Sequence, residues 1–198
     1  MRERQGSKAA QAEATRAALI AIARTEFAKR GYEAVSLDDI LKRTGLTKGA
    51  IYHHFGDKKG LFREVVIRVQ SEVAAKARKA GHGQRDPLEA LLAVCTSFFL
   101  HLARPQVMRI VCREAGVFLS WAECAEIDDK YMLAVMREFV GALRACGGMT
   151  ELDPEATTRV VTGSIYQIVE WASHGVKRKR VAQGELVLLS MIRAVAGA

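Results

Sequence analysis

All three prolines of the chain, Pro87, Pro105 and Pro154, stand between runs of apolar residues that repeat at threes and fours, and none interrupts such a run. Proline cannot donate the amide proton that an interior helical turn requires, but it is well suited to a first turn. Extended stretches of alternating β-branched residues, the mark of a strand, are missing. The chain therefore reads as all-α.

Residues 1–12 read as a flexible basic arm carrying Arg2, Arg4 and Lys8. A first helix is expected from about Ala14 to Arg30, with Leu19, Ile22, Ala23 and Phe27 on one face and Gly31 closing it. Ser36 with Asp39 three residues on resembles a capping box, and Gly45 ends the helix that follows after two turns. Thr47 is placed to cap a third helix and Asp57 a fourth, whose stripe is Leu61, Phe62, Val65, Val66, Val69 and Val73. The run 81–85 (Gly-His-Gly-Gln-Arg) is a linker by composition. Later helices are expected over Pro87–Ala103, to about Ala115, over Trp121–Cys146 and from Pro154 to about His174. An apolar corner at Val117-Phe118-Leu119, a basic connector at Lys177–Arg180 and a last helix over Gln183–Ala196 complete the reading.

Charge is distributed unevenly. Residues 1–80 hold 17 Lys/Arg against 9 Asp/Glu, whereas residues 81–198 hold 13 of each, so the whole net charge of +8 lies at the N-terminal end. A concentrated positive field suits a phosphate backbone, because each neutralised phosphate releases counterions. The four cysteines (Cys95, Cys112, Cys124, Cys146) show no C-x-x-C and no nearby His pair, so no metal or cofactor is expected. A signal segment and a membrane-length apolar run are both missing, which makes a cytoplasmic chain with reduced thiols the expectation.

Residues 36–61 carry the strongest signal. Ile40, Leu46, Ile51 and Phe55 are spaced to share a small core between two short helices joined at Gly45-Leu46, the helix-turn-helix pattern. The outer face of the second short helix offers Thr47, Lys48, Tyr52 and His53 to bases or phosphates. Gly49 and Ala50 would let it approach the groove floor, and Lys58 at the next helix start suits a phosphate.

This region resembles the TetR family of repressors. The family pattern is matched at Ser36, Ile40, Gly45, Leu46, Thr47, Gly49, Ile51, Tyr52, His54, Phe55, Asp57, Lys58 and Leu61. It departs at Leu41 and Thr44, where alanine is commoner, and Lys59 replaces a frequent acid. The resemblance implies about nine helices, a homodimer built on the last two helices of each chain, and release from double-stranded operator DNA when a small molecule enters the C-terminal domain. The expected DNA contacts are Ser36, Thr47, Lys48, Gly49, Ala50, Tyr52, His53, His54, Lys58 and Lys59.

The resulting organisation is an arm and three-helix DNA-binding domain at 1–57, a connecting helix at 58–80, and a ligand-binding and dimerisation domain at 86–198. Val160, Val161, Gly163, Ile165, Ile168 and Val169 make the eighth helix apolar or small nearly all round, and Leu188, Met191, Ile192 and Val195 stripe the ninth. Candidate walls for an apolar effector are Phe98, Met108, Arg113, Phe118, Trp121, Tyr131, Val135, Phe139, Tyr166 and Glu170.

An enzyme is disfavoured, since Glu170 and His174 are unrepeated and no phosphate loop, nucleophile elbow or zinc spacing occurs. A thiol-based redox regulator and an effector-independent architectural protein remain as alternatives to a ligand-responsive repressor.

Overall fold

A computed structural model describes residues 2–173 and 177–196, and these form nine helices and no strand. They are α1 (Arg2–Arg30), α2 (Leu37–Thr44), α3 (Lys48–Phe55), α4 (Lys58–His82), α5 (Pro87–Leu102), α6 (Pro105–Phe118), α7 (121–145), α8 (Pro154–Ala172) and α9 (Lys177–Ala196). α1 and α3 pack on α4, and α2 packs on α1 and α3. α5 runs along α4 and is enclosed on its other sides by α7, α8 and α9.

Local chemistry sets most of these ends. Asp57, Asp86 and Asp153 each accept the backbone N–H three residues on, at 2.6, 2.9 and 2.7 Å. Pro87, Pro105 and Pro154 fill first-turn positions, and α6 leaves α5 at 81° across the Arg104-Pro105 step. Ser120 and Glu123 form a full capping box at the start of α7. No single helix among the described residues is long and apolar enough to cross a membrane.

Several sequence expectations need correction. α1 begins at Arg2, so the arm is helical. Its Ala, Gln, Glu, Lys and Arg residues are good helix formers with no proline among them. Val117 and Phe118 complete α6 instead of forming a corner, and the chain turns extended only at Leu119. Lys177–Arg180 is the first turn of α9 and not a connector, because nothing there breaks a helix. His174 lies outside the described residues.

The composition of the 81–85 linker is also misleading. Gly81 and His82 belong to α4, and Gly81 is buried where a Cβ would come within 2.4 Å of the Phe139 ring. The glycine is there for close packing of α4 against α7, not for freedom.

Two features had no counterpart in the sequence reading. α6 and α7 each contain a stretch of wide, i→i+5 turns, over Arg109–Glu114 and Asp129–Leu133. In α7 the buried stripe accordingly steps by five from Ile127 to Met132, whereas beyond it the buried positions fall at helical spacing.

Candidate nucleic-acid interface and internal cavity

The turn between α2 and α3 is heavily hydrogen-bonded. Ser36 Oγ accepts from Asp39 N–H at 3.1 Å and the Asp39 carboxylate accepts from Ser36 N–H at 3.1 Å, so the Ser36 hydroxyl is committed to starting α2. Gly45 has φ 67° and donates to Leu41 O at 3.1 Å. Thr44 is a structural gain over the alanine common in the family. Its hydroxyl donates to Leu41 O at 3.0 Å and accepts from Leu46 N–H at 3.1 Å, bracing the turn from both sides.

The exposure of α3 divides by face. Ile51 is fully buried with Ile40 against α1 and α4, and Leu46 and Phe55 pack partly buried on the same core. On the other side Tyr52 is 56% exposed, and Thr47, Lys48, Gly49 and His53 are exposed too, with Ala50 and His54 half-buried between the faces. Thr47 occupies the N-cap position but makes no cap hydrogen bond with its side chain, so its hydroxyl is left for another partner. Lys48 pairs with Asp38 at 2.9 Å in the open, an arrangement that a phosphate can displace.

Lys58 and Lys59 are engaged inside the chain. Lys58 Nζ lies 4.3 Å from the centroid of the Tyr32 ring and 3.4 Å from Glu33 O, and burial holds its pKa below the usual lysine range. Lys59 Nζ is 2.8 Å from the Glu123 carboxylate of α7. That lysine, together with the Ser120 N–H and hydroxyl, brings the Glu123 carboxyl down to about 2.

Below this reader, α4, α6, α7 and α8 line a cavity of about 310 Å³ that is open on one side. Its floor is polar. Gln70 Nε2 donates to Asp128 Oδ1 at 2.7 Å and to the Tyr166 hydroxyl at 3.1 Å, and Tyr166 donates to the same Asp128 oxygen at 2.8 Å. Burial pushes the Asp128 carboxyl above the usual range, against the pull of the Tyr166 and Gln70 hydrogen bonds. Burial, then the Asp128 charge, raises the Tyr166 phenol well above its ordinary value. Gln70 Oε1 is buried without a hydrogen-bond partner, which costs about 1–3 kcal/mol.

Of the expected effector residues, Trp121, Tyr166 and Glu170 line this cavity. Phe98, Val135 and Phe139 are buried in the general core. Phe118 stacks on Tyr32 at 4.2 Å, tying α6 to the end of α1. Met108 and Arg113 border a separate hollow between α6 and α8, where Arg113 donates to Ser173 Oγ at 3.0 Å. Tyr131 faces a groove shared with Arg16 and Glu64. Sequence reasoning missed Gln70 and Asp128. Gln70 was detectable as a polar residue on the apolar face of α4, four positions after Val66 and three before Val73, whereas nothing about Asp128 set it apart from the other acids of α7.

Cys112 and Cys124 also line the cavity. Burial pushes the Cys112 thiol up to about 12 and raises that of Cys124, which leaves both poor nucleophiles. Among the described residues no group of three or more His, Cys, Asp or Glu could hold a metal ion.

The start of α7 touches both regions. Trp121, Cys124, Ile127 and Asp128 face the cavity, while Glu123 and Glu126 on the same two turns bind Lys59 and Arg63 of α4, at 2.8 and 2.7 Å. Glu114 of α6 makes a second link by accepting from Tyr32 N–H at 3.0 Å, just past the end of α1.

Comparison with known proteins agrees with this arrangement. Residues 19–65 match the family model described as bacterial regulatory proteins, tetR family, and residues 88–195 match the tetracyclin repressor-like C-terminal domain. A crystal structure of a TetR-family transcriptional regulator from Pectobacterium atrosepticum is 32% identical, covering 96% of this chain and 97% of its own, with a TM-score of 0.80. The HTH-type transcriptional repressor KstR2 of Rhodococcus jostii is 26% identical over 171 residues, 81% of this chain and 80% of the relative. RolR, solved in complex with resorcinol, shares the fold at 20% identity and a TM-score of 0.70, covering 95% of both chains. Regulators of this kind are DNA-binding transcription factors and not enzymes. With both family models matched and the helix-turn-helix in place, the chain belongs to the TetR family of bacterial transcriptional regulators.

Proposed function

We propose that this protein is a repressor that binds a pseudo-palindromic operator as a homodimer and releases it when a small molecule occupies the cavity beneath α4. The carrying observation is the two-faced α3, with Ile51 fully buried and Tyr52, His53, Lys48 and the uncommitted Thr47 hydroxyl on the open side. In this reading α3 lies in the major groove. Thr47, Tyr52 and His53 read base edges, Gly49 and Ala50 admit the helix to the groove floor, and Lys48 exchanges Asp38 for a phosphate. Lys58 and Lys59 serve the fold and the interdomain link, and Ser36 serves α2, in place of the direct DNA contacts expected from sequence.

The dimer face follows from exposure. Val160, Gly163 and Trp171 form an open stripe on α8, and Leu186, Val187 and Val195 are open on α9. A Cβ added at Gly163 would meet nothing within 4 Å, so a partner helix has room to approach there. Leu188 and Ile192, expected at this face, are instead buried inside the subunit. Isologous pairing of such stripes would hold two α3 helices at the fixed separation that two half-sites demand.

Ligand control rests on the shared use of α7, whose first two turns line the cavity and grip the start of α4. A molecule that binds better when α7 has shifted favours the non-binding state, and DNA weakens its binding by the same factor. That RolR was solved with resorcinol shows that one protein of this fold holds a small aromatic compound. A redox alternative acting through the two cavity thiols is less well supported, because burial raises the pKa of both and disfavours the thiolate. The test is selection of operator fragments by the purified protein, followed by titration at rising salt. A short two-fold-symmetric site with a steep salt dependence is the expected result, and an unsymmetric or salt-insensitive site would refute the reading.

A further inference from the structure

The charged side chains on the cavity wall, among the described residues, are Asp128 and Glu170, with no lysine, arginine or histidine. Arg159 borders an adjoining hollow but is bound by Glu155 at 2.7 Å. Both hydrogen bonds from Gln70 and Tyr166 reach one oxygen of Asp128, Oδ1, and both come from neutral donors. Gln70, only 3% exposed, adds an acceptor with no partner at the floor. At the rim Trp121 is 88% exposed although it lies on a helix whose other large apolar residues are mostly buried. An indole face attracts cations through its quadrupole. A buried carboxylate with only neutral partners favours a positive charge nearby.

We infer that the cavity takes a monocationic amphiphile, a protonated or quaternary amine on a flat apolar body. The cation sits between Asp128 and the Trp121 face, and the body rests on Val66, Val111, Ala115 and Ile127. An anionic ligand would place like charges beside Asp128, with no cation among the described residues of the wall to offset them. A metal ion is not the cation, for lack of a third ligand among the described residues. The inference rests on the cavity being the effector site, and it supplies the chemical class that site selects.

The experiment uses the full-length protein and three probes sharing one ring system: 1-naphthylmethylamine, 1-naphthalenemethanol and 1-naphthoate. Binding is read by calorimetry without DNA, and operator affinity is then measured with each probe. The amine should bind on the order of tenfold more tightly than the alcohol and a hundredfold more tightly than the carboxylate. Asp128→Asn should remove most of the amine's advantage and leave alcohol binding within about twofold. Trp121→Leu, at an exposed position that does not threaten folding, should reduce amine affinity severalfold while sparing the alcohol. Carboxylate binding equal to the amine's, failure of all three probes to bind, or an unchanged ranking in both variants would overturn the inference. Amine binding as expected with no effect on operator affinity would leave the inference intact and overturn the proposed ligand control instead.

Discussion

Glu123 joins the two halves of the molecule: its carboxylate holds Lys59 at the start of α4 and, on the same side chain, receives the Ser120 N–H that begins α7. In the proposed mechanism, a displacement of α7 by a ligand would thus be felt at the helix that immediately follows α3. Glu123→Gln should keep operator binding in the absence of ligand within about twofold but shrink the ligand's effect on it, a coupling that typically spans 5–150-fold. Paired operator titrations with and without an effector measure this, and an unchanged coupling factor would remove the clasp from the pathway.

The same carboxyl gives a pH signature. Its folded pKa lies near 2 against 4.5 for a free glutamate. A lowered pKa means that the clasp contributes stability above about pH 4.5 and loses it as pH falls toward 2. Acid unfolding of wild type and of Glu123→Gln should therefore converge at the lower end of that window, with wild type the more stable above it. The carboxyl is half-buried and its lysine partner is exposed, so solvent screens the pair and the difference is small.

On DNA, Lys48 and Lys58 should behave differently. Lys48→Ala should lower affinity for all sequences alike and reduce the salt slope by about one. Lys58→Ala should leave the slope near wild type and lower thermal stability, since that ammonium is packed on Tyr32. Thr47→Val and Tyr52→Phe should change base preference, with losses of about 1–3 kcal/mol at particular positions. Salt-dependent anisotropy on wild-type and mismatched operators separates these effects.

At the proposed dimer face, Gly163→Glu and Val187→Asp should give folded monomers with little operator affinity, because the two half-sites are no longer linked. Sedimentation showing intact dimers in both would place the interface elsewhere.

Within the reader, Ile51→Ala should destabilise by about 2–5 kcal/mol, the range for truncating a fully buried isoleucine. Gly31→Ala should cost about 1–3 kcal/mol, since the position holds φ 88° and a Cβ there would sit 2.8 Å from Glu114 Oε1. Urea unfolding checks both.

The helix-turn-helix fold of the reader was legible because short-range signals specify it. Caps, the Gly45 turn and the Ile40/Ile51 stripe all act within a few residues. The cavity was not, because its floor joins residues 58 and 38 positions apart, Gln70 with Asp128 and Asp128 with Tyr166. Aromatic content was a poor guide to it. Phe98 and Phe139 are bulky because the core is, whereas the groups that define the site are an amide and a carboxylate that look like ordinary surface residues in the sequence. The helical arm and the early start of α9 depart from the sequence expectation for another reason: basic composition suggests looseness, but nothing in either stretch forbids a helix.

The wide turns at 109–114 and 129–133 resemble single-residue insertions absorbed without breaking a helix. Each residue of a regular helix advances the side chains by about 100°. Deleting one residue from 129–133 would restore an ordinary helix and swing Trp121 and Asp128 by that angle relative to Phe139 and Leu143, which anchor the rest of α7 in the core. In this scaffold, a change of one residue in length is enough to replace one set of cavity-facing side chains with another and to draw Glu123 and Glu126 away from Lys59 and Arg63, while the core beyond the turn keeps its packing.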